Sequence, residues 1–380
     1  MKELEMPKLS SIEPRLGHTA VVYKNKLLIY GGEHLYNEHL KIRDCLGGPK
    51  LIDFEKQFCK TLRTHGDFIE NRRNHAYCLF AERFLFISGG INSNGRYLSD
   101  LMYLNLDTLK WSTCETENHL ESLAFHTMIL VYKKEPTNVV NLYKPFEPDL
   151  KIKSNSLNKI KEEGIYLFGG MNEKQTIFNT LRILKLGCYP LKWIEPETKG
   201  IPPQPRFLHS MNFYRDMNII IIYGGRNDKL QEAVFSDICV LNVFNLCWSK
   251  VSSLGIGNVP KCSHSATIVG SKLVVFGGYT LNEYIGADIY LCELNQDMVK
   301  TYQNKQKYFL GDNDLNDIEE NEPNFKPDQL IQANKKFNIF ERNHFKYSTF
   351  LPIPIQGDKK QRKNSKLIKM NLNEESIKNF

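Results

Sequence analysis

Five times along this 380-residue chain a short apolar run ends in a pair of glycines: Tyr30-Gly31-Gly32, Ser88-Gly89-Gly90, Phe168-Gly169-Gly170, Tyr223-Gly224-Gly225 and Phe276-Gly277-Gly278. A histidine stands ahead of the pair at a short, nearly constant interval in four units, at His18, His75, His209 and His264; in the third, one insertion stretches the interval from His126. A unit of roughly fifty residues cannot bury both faces of its own sheet, so units in register must stack, and the array forms one body. Glycine at a strand end supplies positive φ or removes a side chain where another backbone comes close.

The second unit shows the pattern most openly. His75 to Phe80 is β-prone, Ala81-Glu82-Arg83 makes a polar turn, and Phe84 to Ser88 is a second strand ending at Gly89. After a loop, Asp100 precedes the third strand, Leu101 to Leu106; a turn at Asp107-Thr108 leads to a fourth at Lys110-Trp111. Each unit therefore reads as a four-stranded antiparallel meander. Trp111, Trp193 and Trp248 fall at almost the same distance after the second glycine of their units. A large aromatic recurring there suits a wedge between adjacent sheets.

Repeated four-stranded sheets that stack around an axis make an all-β propeller, which removes exposed sheet edges by circular closure. The combination of Arg-x-x-His (Arg15 to His18, Arg72 to His75, Arg206 to His209), the glycine pairs, a later Asp (Asp100, Asp237, Asp288) and a terminal Trp resembles the kelch repeat. The resemblance covers residues 14–302 and implies a kelch-type β-propeller of five recognisable blades, with 1–13 as a lead, a 133–163 insertion and a polar tail over 303–380. Lys366 to Leu372 repeats the pattern of Asp100 to Leu106 and predicts a divergent sixth blade, its other strands between Phe337 and Ile355. The insertion is rich in Lys, Asn, Ser and Pro, reads as unstructured, and must leave at the blade end opposite the glycine pairs.

In antiparallel geometry the residue before each first strand and the loop after each second strand share one end of the blade. That end carries Arg15, Arg72, Arg206 and Lys261, with Leu123 in unit three, and the loops add Arg96 and Arg226. The resemblance implies that this face binds a protein partner, the arginines suiting an acidic peptide through forked, charge-assisted hydrogen bonds. An arginine at a blade start can equally bond neighbouring loop carbonyls and touch no ligand.

Composition narrows the function further. A net charge of +7 from 50 basic and 43 acidic residues, with no basic groove lined by aromatics, argues against nucleic acid. The longest apolar run, Ile219 to Tyr223, is far too short to span a membrane, and the N-terminus lacks the apolar core of a signal peptide. Nine irregularly spaced cysteines read as free thiols of a reducing, cytoplasmic setting, and the basic cluster Lys359 to Lys363 fits nuclear import. No Gly-x-Ser-x-Gly, phosphate loop, His-Glu-x-x-His or Cys-x-x-Cys is present, so no catalytic residue, metal or cofactor is expected. Glu33-His34 and Glu38-His39 read as solvated polar text. The expectation is a non-enzymatic interaction scaffold or complex subunit; the alternatives are a small-molecule enzyme or sugar-binding propeller, and an actin binder. The thirteen residues ahead of the first blade leave no room for an adaptor module within this sequence.

Overall fold

In the computed structural model, residues 12–34, 44–134, 139–144, 160–231, 233–251, 259–280 and 289–294 are described. The chain divides into Met1–Gly311 and Asp312–Phe380, and every described residue lies in the first unit. Asp288, the stretch from Phe337 to Ile355, the Lys359 to Lys363 cluster and the Lys366 to Leu372 segment lie outside the described residues.

The architecture is an all-β propeller. Blade 1 is β1 (Leu16–Tyr23), β2 (Lys26–Glu33), β3 (Lys50–Asp53) and β4 (Phe58–Thr61) in simple antiparallel order. Blade 2 gathers β5 (His65–Gly66), β7 (Ala76–Phe80), β8 (Phe84–Ser88), β10 (Leu101–Asn105) and β11 (Lys110–Thr113), while β6 (Arg72–Arg73) and β9 (Ile91–Asn92) pair separately above it. Its meander runs β7-β8-β10-β11, and β5 lies parallel to β11 as an edge cover. Blade 3 is β12 (Thr127–Val131), β13 (Gly164–Phe168), β14 (Leu181–Lys185) and β15 (Lys192–Ile194), and blade 4 is β16 (Ser210–Tyr214), β17 (Ile219–Tyr223), β18 (Ile238–Asn242) and β19 (Cys247–Val251). Blade 5 contributes β20 (Ser265–Val269), β21 (Lys272–Phe276) and β22 (Ile289–Glu293).

In blades 2 to 4 the second strand is almost wholly apolar because both its faces meet another blade. Phe84–Ser88, Gly164–Phe168 and Ile219–Tyr223 are buried at every position. The core is accordingly divided into four apolar clusters, each lying at one seam between consecutive blades. The tryptophans fill these seams as expected: Trp111 lies 5.1 Å from Tyr30 of blade 1, and Trp248 lies 5.3 Å from Phe168 of blade 3.

The insertion departs from the unstructured reading in its described parts. Val139 and Leu142 are buried in the seam between blades 2 and 3, Arg83 Nη1 donates to the Val139 carbonyl at 2.7 Å, and Gly187 N–H donates to that of Leu142 at 2.7 Å. Two apolar residues within a polar stretch suffice to anchor it, because the blade 2–3 seam offers apolar surface at that end.

Candidate functional site

The repeat motif resolves into a joint. The first glycine of a pair lies under the next blade: a Cβ on Gly169 would meet the Arg206 carbonyl at 2.6 Å and the His209 ring at 2.7 Å, and one on Gly31 would meet Arg72 O at 2.7 Å and His75 at 2.8 Å. Both glycines have positive φ, +67° in each case. The aromatic ahead of the pair stands edge-on to the next histidine, as Tyr30 does to His75, Phe168 to His209 and Tyr223 to His264. That histidine in turn is hydrogen-bonded through Nε2 to the hydroxyl following the previous blade's histidine: His75 to Thr19 at 2.5 Å, His209 to Thr127 at 2.8 Å, His264 to Ser210 at 2.9 Å. Burial holds His126 and His264 down to about 3 and His75 and His209 well below the usual imidazole value, which favours the neutral form of all four.

The residue just before each histidine forms a second device. Gly17, Asn74, Phe125, Leu208 and Ser263 all adopt left-handed backbone, and their amides are linked from blade to blade. Asn74 N–H donates to Gly17 O (2.8 Å), Phe125 to Asn74 O (2.9 Å), Leu208 to Phe125 O (3.2 Å) and Ser263 to Leu208 O (3.0 Å). Left-handed φ at Phe125 and Leu208 costs of order 1–3 kcal/mol each, which the surrounding girdle offsets.

The arginines expected to meet a partner are placed differently. Arg72 and Arg206 are fully buried. Arg72 is bidentate to Asp100 at 2.6 and 2.7 Å and also donates to the carbonyls of Gly89 and Glu70; Arg206 repeats this with Asp237 at 2.7 and 3.0 Å, Gly224 and Gln204. Although burial pushes the Asp237 carboxyl up, the Arg206 guanidinium overrides it and holds it below the ordinary range. Arg15 donates to Gly31 O at 3.1 Å and to Glu13, and the buried Lys261 donates to Gly277 O at 3.0 Å while standing 3.7 Å from the Tyr290 ring. The cation at each of these blade starts thus bonds the carbonyl of its own first glycine. Blade 3 confirms the pairing by losing both members: Leu123 is buried where the arginine would be, and Thr180 precedes β14 where the aspartate would be. The reading in which these cations bond loop carbonyls is the one the geometry carries, and Arg15, Arg72, Arg206 and Lys261 turn inward for that reason.

Arg96 remains on the surface and Arg226 is partly buried. Arg96 is 62% exposed and ion-paired with Glu70, while Arg226 is paired with Asp228 at 2.6 Å and reaches the Tyr279 hydroxyl at 3.3 Å. Arg182 joins Glu195 at 2.7 Å and Glu121 at 3.2 Å beside an open cleft of about 300 Å³ lined by Asn118, His119, Leu120, Arg182, Trp193 and Glu195. The face is therefore a mosaic of both charge signs and not a basic ring. An asparagine two positions beyond the pair pins three of its loops: Asn92 Oδ1 accepts from the Asn94 and Arg96 amides, Asn172 Oδ1 from Thr176, and Asn227 Oδ1 from Lys229. Among the described residues, no group of three or more His, Cys, Asp or Glu is arranged to hold a metal ion.

Several of these parts carry a sequence signal that the glycine and histidine pattern overshadows. A hydroxyl follows the histidine at Thr19, Thr127, Ser210 and Ser265 but not at Ala76, and an asparagine recurs at 92, 172 and 227. The left-handed girdle has none, since Gly17, Asn74, Phe125, Leu208 and Ser263 share no chemistry.

The model of the KLHDC2/KLHL20/DRC7 Kelch-repeats domain matches residues 4–135 and 155–309. Among curated proteins, the chain is 26% identical over 288 residues to human host cell factor 1, covering 70% of this chain and 12% of that protein. It is 25% identical over 249 residues to Arabidopsis thaliana acyl-CoA-binding domain-containing protein 4, covering 57% of this chain and 36% of that one. The chain thus spans little more than a third of these relatives at most. The solved structure titled "Structure of YjhT" shares the fold, with a TM-score of 0.56 and 13% identity over 75% of this chain and 83% of that one.

Proposed function

The chain belongs to the Kelch-repeat family, and on that premise we propose that it is a non-enzymatic scaffold that holds a protein partner on the loop face of the propeller. The observation that carries this reading is the division of labour in the blades. Most of the repeated polar residues, among them His75, His209, His264, Arg72 and Arg206, are consumed in joining strands and blades, whereas the loops beyond the glycine pairs differ from blade to blade. Loops pinned on a rigid scaffold are where recognition usually resides. Phe68 and Ile201, 86% and 85% exposed on the segments leading to Arg72 and Arg206, add apolar contact area to a charged surface.

The acidic-peptide form of the proposal narrows to Arg96 and Arg226, which an incoming carboxylate must take over from Glu70 and Asp228. A partner presenting both charge signs fits the mosaic better, because it would leave each ion pair compensated. All nine cysteines are free and seven are buried, which supports a reducing compartment for this function. No helix among the described residues is long and apolar enough to cross a membrane.

Affinity purification with mass spectrometry tests the reading on three full-length proteins: wild type, Arg96→Glu/Arg226→Glu and Arg72→Ala. The double variant is expected to keep the wild-type melting temperature and lose the partner. An unchanged set of captured proteins would remove these two arginines from the interface. Arg72→Ala is expected to lose stability first, since it strands Asp100 and two carbonyls.

A further inference from the structure

Three separate stretches of chain converge where β15 begins, on the outer edge of blade 3. Tyr189 comes from the turn between β14 and β15, which lies away from the glycine pair because β14 starts beside Phe168 and runs from it. Tyr143 comes from the anchored part of the insertion, directly after the buried Leu142. Glu115 follows β11, at the start of the segment that runs parallel to β15 through the pairing of Thr116 with Leu191. The two tyrosine rings stand edge to face at 75°, with centroids 5.3 Å apart. The Tyr189 hydroxyl donates to Glu115 Oε2, and the Tyr143 hydroxyl accepts from the Glu115 amide at 3.2 Å. The Glu115 carbonyl accepts from the amide of the fully buried Leu191 at 2.8 Å, so its backbone is held on both sides. The corner is built, yet open: Tyr189 is 64% exposed and Glu115 is exposed beside it. The neighbouring lysines are engaged elsewhere, Lys192 with Glu117 and Lys185 with Glu162, each at 3.0 Å. Among the described residues no lysine or arginine pairs with Glu115 or stands over either ring.

We propose that this corner binds an arginine side chain of a partner protein, its guanidinium stacked on the Tyr189 ring and donating to Glu115 Oε1. The negative face of an aromatic ring attracts a cation, and the carboxylate beside it supplies the opposite charge. Tyr189 occupies only one carboxylate oxygen, which leaves the other to accept an N–H. Guanidinium meets both demands, because it is weakly hydrated, stacks flat on a ring and keeps N–H groups directed in its own plane. An ammonium is more strongly hydrated and has no flat face, and a trimethylammonium has no N–H to give. The contact between the two rings and the bond to Glu115 hold Tyr189 in place before a ligand arrives, so little ordering remains to oppose binding. Val140, three positions ahead of Tyr143 and 79% exposed, offers apolar contact to the residues around such an arginine. The anchoring of Val139 and Leu142 thereby acquires a purpose, since it delivers Tyr143 to the corner. The site lies apart from the loop face and does not depend on what that face binds.

The test titrates the full-length chain, carrying isotope-labelled tyrosine rings, with Nα-acetylarginine amide and with its lysine and trimethyllysine counterparts, read by NMR. The arginine probe is expected to shift the Tyr189 and Tyr143 ring signals saturably and to bind more tightly than either counterpart. Tyr189→Ala and Glu115→Gln should each weaken it by about threefold or more, the first read at Tyr143. Both variants should melt within about 2 °C of wild type, because the two side chains are exposed. Equal binding of the lysine probe would overturn the proposal, since charge attraction alone would then explain the response. Tighter binding of the trimethyllysine probe would also overturn it, by showing that the carboxylate accepts no N–H from the ligand. So would an affinity unchanged in Glu115→Gln, or the absence of any shift at Tyr143 and Tyr189.

Discussion

The seam between blades 3 and 4 and the seam between blades 2 and 3 are built on one register from different chemistry. At the 3–4 seam Phe168 meets His209 and Trp248, and Thr127 supplies the hydroxyl for His209 Nε2. At the 2–3 seam Ser88 replaces the aromatic and Ala76 replaces the hydroxyl, so His126 is buried with neither ring nitrogen hydrogen-bonded among the described residues. That seam is instead filled from the far end, where Val139, Leu142 and Tyr132 join Phe80, Phe84 and Trp193. A blade joint is thus redundant: it needs a small residue under the next backbone and enough apolar volume, and the volume can come from either end.

The largest expected effect breaks the 3–4 seam at its wedge. Trp248→Ala should destabilise by about 3–5 kcal/mol, measured by urea unfolding. A near-neutral result would mean that the seam does not depend on the tryptophan. Leu142→Ala should cost about 2–5 kcal/mol if the insertion is a true substitute at the 2–3 seam; a value near zero would show that its anchoring is incidental.

A smaller effect separates the two histidines. His209→Leu should cost about 1–3 kcal/mol because it strands the Thr127 hydroxyl, whereas His126→Leu should be neutral or stabilising because it removes two buried polar atoms with no partner. An equal cost for both would indicate an internal water standing in for the missing hydroxyl.

The smallest effect is on pH dependence. Because the folded histidines are held below their unfolded value, stability is complete above about pH 6.5 and falls as pH drops from there toward the folded values, by about 1.4 kcal/mol per pH unit for each. His126→Leu should therefore flatten the loss between about pH 6.5 and pH 5 by that slope, read from denaturant midpoints. A slope equal to wild type would mean that His126 is already protonated, or is not buried, in the folded protein.

Much of the fold was legible because it is periodic. The histidine-to-glycine interval located the first two strands of four blades, and the recurring tryptophan identified the seams before any contact was known. The candidate site was less so. Arg72 and Asp100 stand 28 positions apart, and their pairing depends on the third strand returning beside the second. Leu123 with Thr180 shows the same dependence by its absence. The anchoring of Val139 and Leu142 was hidden by the Lys, Asn and Pro around them, since two buried side chains barely alter the character of a long polar stretch.

The sequence by itself determined the number of recognisable units, their register and the residues that recur, because stacking blades demand the same backbone solution at every joint and that solution admits glycine, histidine and a bulky wedge. Only the tertiary structure decided which way the recurring cations point. A spacing places a residue at the start of a strand, but whether its charge meets a partner or a buried carbonyl depends on what the neighbouring chain brings within about 3 Å, and that distance is set by strands far away in the sequence.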